Sequence, residues 1–155
     1  MSFSLSERSL SFVTRVDPRL VAVARRAIML STQDFGFTEE QSRTLAEEQV
    51  KVREGFSHTL HSHHIIDCEP GWAAPGCSGA LDAAPYVEGR GFVWEWPLIY
   101  PVAAAFKAAS LQLGIDVTWG GCWGRLMREI PGDDAAAMKA AQTGFDGPHF
   151  ELGRN

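Results

Sequence analysis

The chain has 155 residues, of which 45% are hydrophobic and 21% are charged, and its formal net charge is −5. This length and composition predict one soluble globular domain with a buried core. The acidic balance argues against nucleic acid as a partner, and no apolar run approaches the ~20 residues that a membrane-spanning helix needs.

Two helices in the first half of the chain begin with recognisable capping sequences. Asp17 supplies a capping side chain and Pro18 occupies the first helical position, and the apolar spacing that follows predicts a helix over 18–31. Residues 44–47 read Thr-Leu-Ala-Glu, which is a capping box and predicts a helix over 45–54.

The rest of the chain mixes one long helix with short strands. The Ala-rich stretch 98–113 predicts the long helix, which Gly114 ends. Short strands are predicted over 35–37, 81–87, 117–119 and 149–152, a loop over 65–80 and a short surface helix over 133–142. Because strands and helices do not alternate regularly, we expect an α+β fold with a small, largely antiparallel sheet, formed by one domain over residues 1–155.

The N-terminus and the cysteines bear on the cellular compartment. The first residues lack a basic region followed by an apolar core, so no secretory signal is predicted and the protein is expected in the cytoplasm. Cys68, Cys77 and Cys122 are too few for a disulfide framework. Cys68 and Cys77 lie at the two ends of a Pro/Gly-rich stretch. They either form a disulfide that closes this loop in an oxidising compartment or remain reduced thiols.

Histidines are unevenly distributed along the chain. Four of the five fall within residues 58–64, and the fifth is His149. Histidine and carboxylate are common ligands of catalytic zinc, which keeps three protein ligands and one open position. The candidate metal ligands are the histidine cluster, Asp82 and His149. The alternative without a metal is that the cluster lies in a surface loop and that His149 is an ordinary strand residue.

The segment around His149 carries two carboxylates. The Gly-Pro turn at 147–148 interrupts the alternation of an extended chain, so Asp146 and His149 can converge, and Glu151 lies on the same strand face as His149. A carboxylate beside metal-activated water can serve as base and then as acid in hydrolysis. The alternative is the polar end of a hairpin with solvated acids.

Three segments resemble the zinc-site motifs of a peptidase family. They are 62–64 (Ser-His-His), 80–82 (Ala-Leu-Asp) and 146–152 (Asp-Gly-Pro-His-Phe-Glu-Leu). The family contains the D-Ala-D-Ala carboxypeptidases and the L-alanyl-D-glutamate endopeptidases of phage endolysins. Further segments resemble the endolysin branch, namely 3–10, 42–44, 55–59 and 119–121, so the resemblance covers nearly the whole chain.

The resemblance implies roles for five residues. His64, Asp82 and His149 would bind Zn²⁺, in the cleft of a D-Ala-D-Ala carboxypeptidase-like fold. Asp146 would be the catalytic acid/base, and Arg43 would stabilise the oxyanion of the tetrahedral intermediate, a role that suits a fixed guanidinium. The alternative for Arg43 is a solvated side chain near a helix N-terminus.

The first ligand region departs from the family pattern. His64 and Asp82 are much further apart than their family counterparts, so residues 65–78 carry an insertion. This leaves His63 as a second candidate ligand. His58 and His61 are expected to belong to the approach loop or to support a ligand.

Two further departures concern the substrate cleft. Glu48 stands where the family has Gln, with Gln49 next to it, and either residue is a candidate for substrate contact. The segment 122–145 is longer than in compact family members. It is expected either to form a flank or lid of the cleft or to be an addition on the surface. The tryptophans are expected mainly in the core, and Trp119 and Trp123, which flank the Gly-Gly pair at 120–121, are the two that could instead line the cleft.

The resemblance implies a zinc-dependent peptidoglycan endopeptidase that hydrolyses the L-Ala–D-Glu bond of the stem peptide. The alternatives are a D-Ala-D-Ala carboxypeptidase of the same fold and a non-catalytic, zinc-stabilised wall-binding domain. A monomer without a separate wall-binding domain is expected. As a phage protein it would remain in the host cytoplasm until membrane permeabilisation gives it access to the cell wall.

Overall fold

The computed structural model describes residues 2–57, 59, 62–69 and 71–153, so the predictions for His58 and His61 fall outside the described residues. Within them, the elements follow in chain order: α1 (Glu7–Ser11), α2 (Pro18–Leu30), β1 (Phe35–Gly36), α3 (Leu45–Arg53), β2 (Ala80–Asp82), β3 (Ala84–Val87), β4 (Gly91–Phe92), α4 (Trp96–Leu113), β5 (Val117–Trp119), a 3₁₀ turn (Met127–Glu129), α5 (Ala135–Ala141) and β6 (His149–Leu152). None of the described helices is both long enough and apolar enough to cross a membrane.

Helices α2 and α3 begin, and α4 ends, where local signals predicted. The side chain of Asp17 accepts a hydrogen bond from the backbone N–H of Arg19 at the start of α2. Thr44 caps α3 in the same way by accepting from Glu47 N–H at 3.2 Å. α4 ends at Gly114, whose φ of 65° lies in the left-handed region that favours glycine.

Within the described ranges, six strands form two small antiparallel sheets, which confirms the α+β prediction. One sheet has the order β2–β6–β5, with β6 in the centre, and the other has the order β1–β3–β4. The register of the first sheet sets Asp82 opposite His149 and Ala80 opposite Glu151. The central strand β6 therefore carries both a candidate ligand and a carboxylate.

The prediction of a single strand over 81–87 is wrong. The chain leaves the first sheet after Asp82 and enters the second at Ala84. Ala83 N–H donates to the carbonyl of Pro148 at this crossover. The two parts have different pairing partners far away in sequence, and no local pattern records that difference.

The core lies between the α2–α4 helix pair and the β2–β6–β5 sheet. The Phe106 ring of α4 stacks on Phe150 of β6 with ring centroids 3.8 Å apart. Trp119 is completely buried and donates its indole N–H to the carbonyl of Gly147. This confirms the core position expected for Trp119 and excludes the cleft position, because its ring supports the turn before β6 from within the core.

The segment 122–145 is packed against the core. Met127 and Met138 are buried. The ammonium of Lys107 in α4 donates to the carbonyl groups of Ile130 and Gly132. These contacts fix the segment to α4 and leave Trp123 at its start 48% exposed.

The 65–78 insertion folds back onto the start of α2. The carboxylate of Asp17 accepts from Ala74 N–H at 2.7 Å, and Ser78 N–H donates to the carbonyl of Arg15. Cys68 and Cys77 are free thiols. The predicted loop is thus present and is docked on the helical layer.

Candidate metal centre

Three distant segments bring His64, Asp82 and His149 together. Asp82 ends β2 and His149 begins β6, and antiparallel pairing sets them side by side. His64 lies in the turn just before Ile65, which forms an isolated bridge with Arg43.

The facing atoms have the spacing of metal ligands. His64 Nε2 lies 3.3 Å from His149 Nδ1 and 3.4 Å from Asp82 Oδ2, and His149 Nδ1 lies 3.3 Å from Asp82 Oδ1. A tetrahedral ion with bonds of about 2.0–2.1 Å separates its ligand atoms by about 3.3–3.4 Å. The three side chains could therefore hold a metal ion.

The polar environment also fits a cation. Among the described residues, none donates a hydrogen bond to Asp82 Oδ1, which is shielded from solvent. Burial alone would raise the pKa of Asp82, but His64 and His149 lower it below its usual range. Burial alone would lower the pKa of His149, but the adjacent carboxylates of Asp82 and Glu151 raise it to about 10. The cluster thus favours positive charge at His149 Nδ1, where a metal ion would compete with a proton.

Each candidate ligand residue also makes a hydrogen bond outside the cluster. His64 Nδ1 donates to the backbone carbonyl of Gln41 at 2.9 Å, and this leaves Nε2 to face the cluster. The side-chain oxygen of the buried Gln41 accepts from Asp82 N–H at 2.7 Å. His149 Nε2 donates to Glu151 Oε1 at 2.9 Å. Sequence reasoning missed Gln41, whose only signal is its position two residues before Arg43.

Asp146 lies beside the cluster in the turn before β6. Its Oδ2 is 3.8 Å from His149 Nδ1, and its side chain is about half exposed. Burial raises the pKa of Asp146, and the negative charge of Asp82 adds to this, while His149 opposes it. A Cβ at Gly120 would lie 2.2 Å from the carbonyl oxygen of Asp146, so this close packing of the turn requires glycine. The structure therefore brings Asp146 and His149 together, as expected from the Gly-Pro turn.

Arg43 is fixed in place. Its Nε donates to Glu48 Oε2 at 2.6 Å, and its Nη2 is 3.5 Å from Ser62 Oγ. Glu48 is completely buried and also accepts from the hydroxyl of Ser57. The Arg43 backbone donates to the carbonyl of His64 at 2.8 Å, which ties the guanidinium's residue to the ligand-bearing turn. The picture of a solvated arginine does not apply, because the side chain is only 13% exposed.

The two substrate-contact candidates on α3 have different surroundings. Glu48 has no exposed surface and is engaged with Arg43. Gln49 lines a cavity of about 580 Å³ together with His63 and Ile65. Direct substrate contact is therefore open to Gln49 and not to Glu48.

His63 lies next to the cluster without joining it. Its Nδ1 donates to Glu151 Oε2 at 2.6 Å, and its ring packs on Trp72 with centroids 4.4 Å apart. A second cavity of about 590 Å³ is lined by His63, Glu151 and Trp123 among others. The Trp123 ring lies 5.2 Å from that of His149, so this tryptophan is at the site.

Comparisons with known proteins identify the family of this chain. A family model described as phage L-alanyl-D-glutamate peptidase matches residues 1–153. The L-alanyl-D-glutamate peptidase of Escherichia phage T5 is 30% identical over 155 residues, covering 98% of this chain and 99% of that protein. The crystal structure of the L-Ala D-Glu endopeptidase ChiX of Serratia marcescens superimposes with a TM-score of 0.67 at 29% identity, covering 98% of this chain and 91% of that chain.

Proposed function

The chain belongs to the phage L-alanyl-D-glutamate peptidase family, and from this premise we propose that it is a zinc-dependent peptidoglycan endopeptidase that hydrolyses the L-Ala–D-Glu bond of the stem peptide. The observation that carries the zinc proposal is the ligand triangle of His64, Asp82 and His149. His64 Nε2 lies 3.3 Å from His149 Nδ1, and each of these nitrogens faces one Asp82 oxygen, Oδ2 at 3.4 Å and Oδ1 at 3.3 Å respectively. Two histidines and one carboxylate are a ligand set of catalytic zinc, which keeps an open position for water or substrate.

Zinc, when bound, supplies a Lewis acid for the scissile carbonyl and lowers the pKa of water toward about 7. Asp146 is the proposed acid/base. It lies 3.8 Å from the ligand atom of His149, and its raised pKa suits a group that takes a proton from water and returns it to the leaving amine. The Asp side chain is half exposed, so it can reach a substrate in the cleft.

Arg43 is the proposed oxyanion donor. Glu48 engages its Nε, which leaves guanidinium N–H groups for the negative charge that develops on the scissile carbonyl oxygen. Because the buried Glu48 and the backbone bond to His64 hold Arg43 before substrate arrives, little reorganisation is needed during the reaction.

The proposed setting is that of a phage lysis enzyme. Residues 1–155 act as one monomeric catalytic domain whose partner is the peptidoglycan stem peptide. The protein is made in the host cytoplasm and acts on the wall after the membrane has been permeabilised.

Digestion of purified peptidoglycan fragments, read by mass spectrometry of the released termini, tests the proposal. We expect new N-terminal D-Glu and C-terminal L-Ala, lost after chelation and restored by zinc. Release of free D-Ala without new D-Glu termini would identify a carboxypeptidase instead. Wall binding without any product would identify a non-catalytic domain.

A further inference from the structure

Glu151 is a nearly buried carboxylate, and hydrogen bonds engage both of its oxygens. Oε1 accepts from His149 Nε2 at 2.9 Å, and Oε2 accepts from His63 Nδ1 at 2.6 Å. The residue is 8% exposed. The carboxylate of Glu151 is therefore fixed between two imidazoles.

The contact to His149 determines which ring nitrogen faces the cluster. His149 Nδ1 points to Asp82 Oδ1 and His64 Nε2, so a metal ion there needs the Nδ1 lone pair. The remaining ring proton must then sit on Nε2, where Glu151 accepts it. A carboxylate in this position also makes a ligating imidazole more basic.

Strand β6 places Glu151 and His149 on the same side. The two residues are two positions apart, so their side chains share one face of the strand. Glu151 is paired with Ala80 on one neighbouring strand and with Thr118 on the other. Its backbone is thus fixed on both sides, in contrast to the turn that carries Asp146.

His63 holds the far side of the carboxylate. It precedes the candidate ligand His64, and its backbone carbonyl accepts from Gly79 N–H at 3.1 Å. Its ring packs on Trp72, and its Nε2 lies 3.6 Å from a carboxylate oxygen of Glu69. Glu69 and Trp72 both belong to the 65–78 insertion, which therefore forms part of the surroundings of His63.

From these contacts we propose that Glu151 is a positioning residue of the metal centre and that His63 anchors it. Glu151 holds His149 with Nδ1 turned to the ion, and the 65–78 insertion holds His63. The inference rests on the proposed metal site and assigns His63, the other candidate ligand from the sequence, a supporting role.

Zinc affinity of the full-length protein tests this role without reference to catalysis. Metal-free wild type, Glu151→Ala, Glu151→Gln and His63→Phe are titrated with zinc against a chromophoric chelator. We expect Glu151→Ala to weaken zinc binding by about 10–100-fold, as the loss of such partners does elsewhere. Glu151→Gln and His63→Phe should weaken it less, since the amide still accepts a hydrogen bond and Phe retains the packing on Trp72.

The matched control is Glu88→Gln, which makes the same chemical change at an exposed residue after β3, away from His63 and the ligands. It should bind zinc as the wild type does. Absorption spectra of the cobalt-substituted proteins provide a second readout, because the bands of Co²⁺ report ligand geometry. We expect altered bands in Glu151→Ala and unaltered bands in Glu88→Gln. If Glu151→Ala does not fold, the glutamine and His63→Phe variants decide the question.

Wild-type zinc affinity and cobalt bands in all Glu151 and His63 variants would overturn the inference and leave the metal site intact. The proposed ligands themselves are tested by Asp82→Ala and His149→Ala. If these two variants bound zinc as tightly as the wild type, the proposed metal site would be wrong, and the inference about Glu151 would be wrong as well.

Discussion

Asp146 and Glu151 both lie beside His149, the first in the turn before β6 and the second within that strand. Asp146 is about half exposed and approaches Nδ1, and burial raises its pKa. Glu151 is nearly buried and accepts from Nε2, and its two histidine partners lower its pKa to about 2.

The difference shows how surroundings divide tasks between two similar groups. A proton carrier needs access to substrate and benefits from a pKa raised toward the working pH, and the turn gives Asp146 both exposure and a raised pKa. A carboxylate that stays ionised and has both oxygens engaged cannot carry protons, but it can orient an imidazole. The proposed roles follow from the turn and the strand more than from the residue types.

The largest expected effect comes from Asp146→Asn. The amide cannot accept a proton, so the rate of stem-peptide cleavage should fall by about 10²–10⁴-fold. Zinc affinity should change little, because Asp146 lies outside the ligand triangle. Cleavage kinetics and a chelator-competition titration measure the two quantities. Full activity in this variant would transfer the base role to Glu151.

The control for Asp146→Asn is Phe145→Ala. Phe145 is the neighbouring residue in the same turn and is 88% exposed. Its removal should leave both the cleavage rate and zinc affinity near those of the wild type. A large rate loss in this control would attribute the Asp146 effect to the turn as a whole.

Arg43→Ala should reduce kcat by about 10²–10³-fold through the loss of an oxyanion donor. It should also destabilise the fold by about 3–5 kcal/mol, because Glu48 is left buried and unpaired. The double variant Arg43→Ala/Glu48→Gln removes that charge, so it should regain stability without regaining activity. Kinetics and urea unfolding of both variants separate the two effects. Recovery of activity in the double variant would contradict the role of Arg43.

Gly120→Ala alters the Asp146 turn and leaves the Glu151 side unchanged. The added Cβ would lie 2.2 Å from the carbonyl oxygen of Asp146 and 3.0 Å from His149 Cβ. We expect a stability loss of about 1–3 kcal/mol and a larger fall in kcat than in zinc affinity. At Gly124 a Cβ meets no atom within 4 Å, so Gly124→Ala serves as the control. Equal effects of the two substitutions would contradict the packing argument.

The smallest expected effect comes from Asp17, a carboxylate away from His149 that serves as a reference for the effects at the site. Burial alone would raise the pKa of Asp17, but its hydrogen bonds to Arg19 and Ala74 lower it below the reference value of 3.8. Its ionised form therefore stabilises the fold above that value, and the contribution is lost as pH falls through the folded-state pKa. Asp17→Asn keeps a capping side chain and removes the charge.

Because Arg19 is more than half exposed, we expect Asp17→Asn to cost below about 1 kcal/mol near neutral pH. The difference from the wild type should narrow on acidification. Urea unfolding at neutral and acidic pH measures it. A difference that widens at low pH would contradict the direction of the pKa shift.

The sequence predicted the parts of this molecule that have local causes. Capping residues and apolar spacing located α2, α3 and α4. The change of sheets at Ala83 has no local signal, because it depends on pairing with β6 on one side and with β1 and β4 on the other. The short elements α1 and β4 were not predicted, since two to five residues show no usable periodicity.

The candidate site shows the same division. Short motifs singled out His64, Asp82 and His149, and the structure brings their ligand atoms together. Gln41 contacts His64 and Asp82, which lie 23 and 41 positions away in sequence, so no local motif reveals its role. Glu151 contacts His149 within β6, but the burial of that strand depends on the whole fold. For Trp119 the sequence left a core position and a cleft position open, because an aromatic residue beside two glycines suits either, and the structure places it in the core.

Anomalous diffraction at the zinc edge from crystals of the zinc-loaded protein tests the metal centre most directly. We predict one strong peak about 2.0–2.2 Å from His64 Nε2, Asp82 Oδ and His149 Nδ1, with Glu151 still accepting from His149 Nε2. A peak coordinated by His63, or by atoms outside this triangle, would contradict the proposed metal centre.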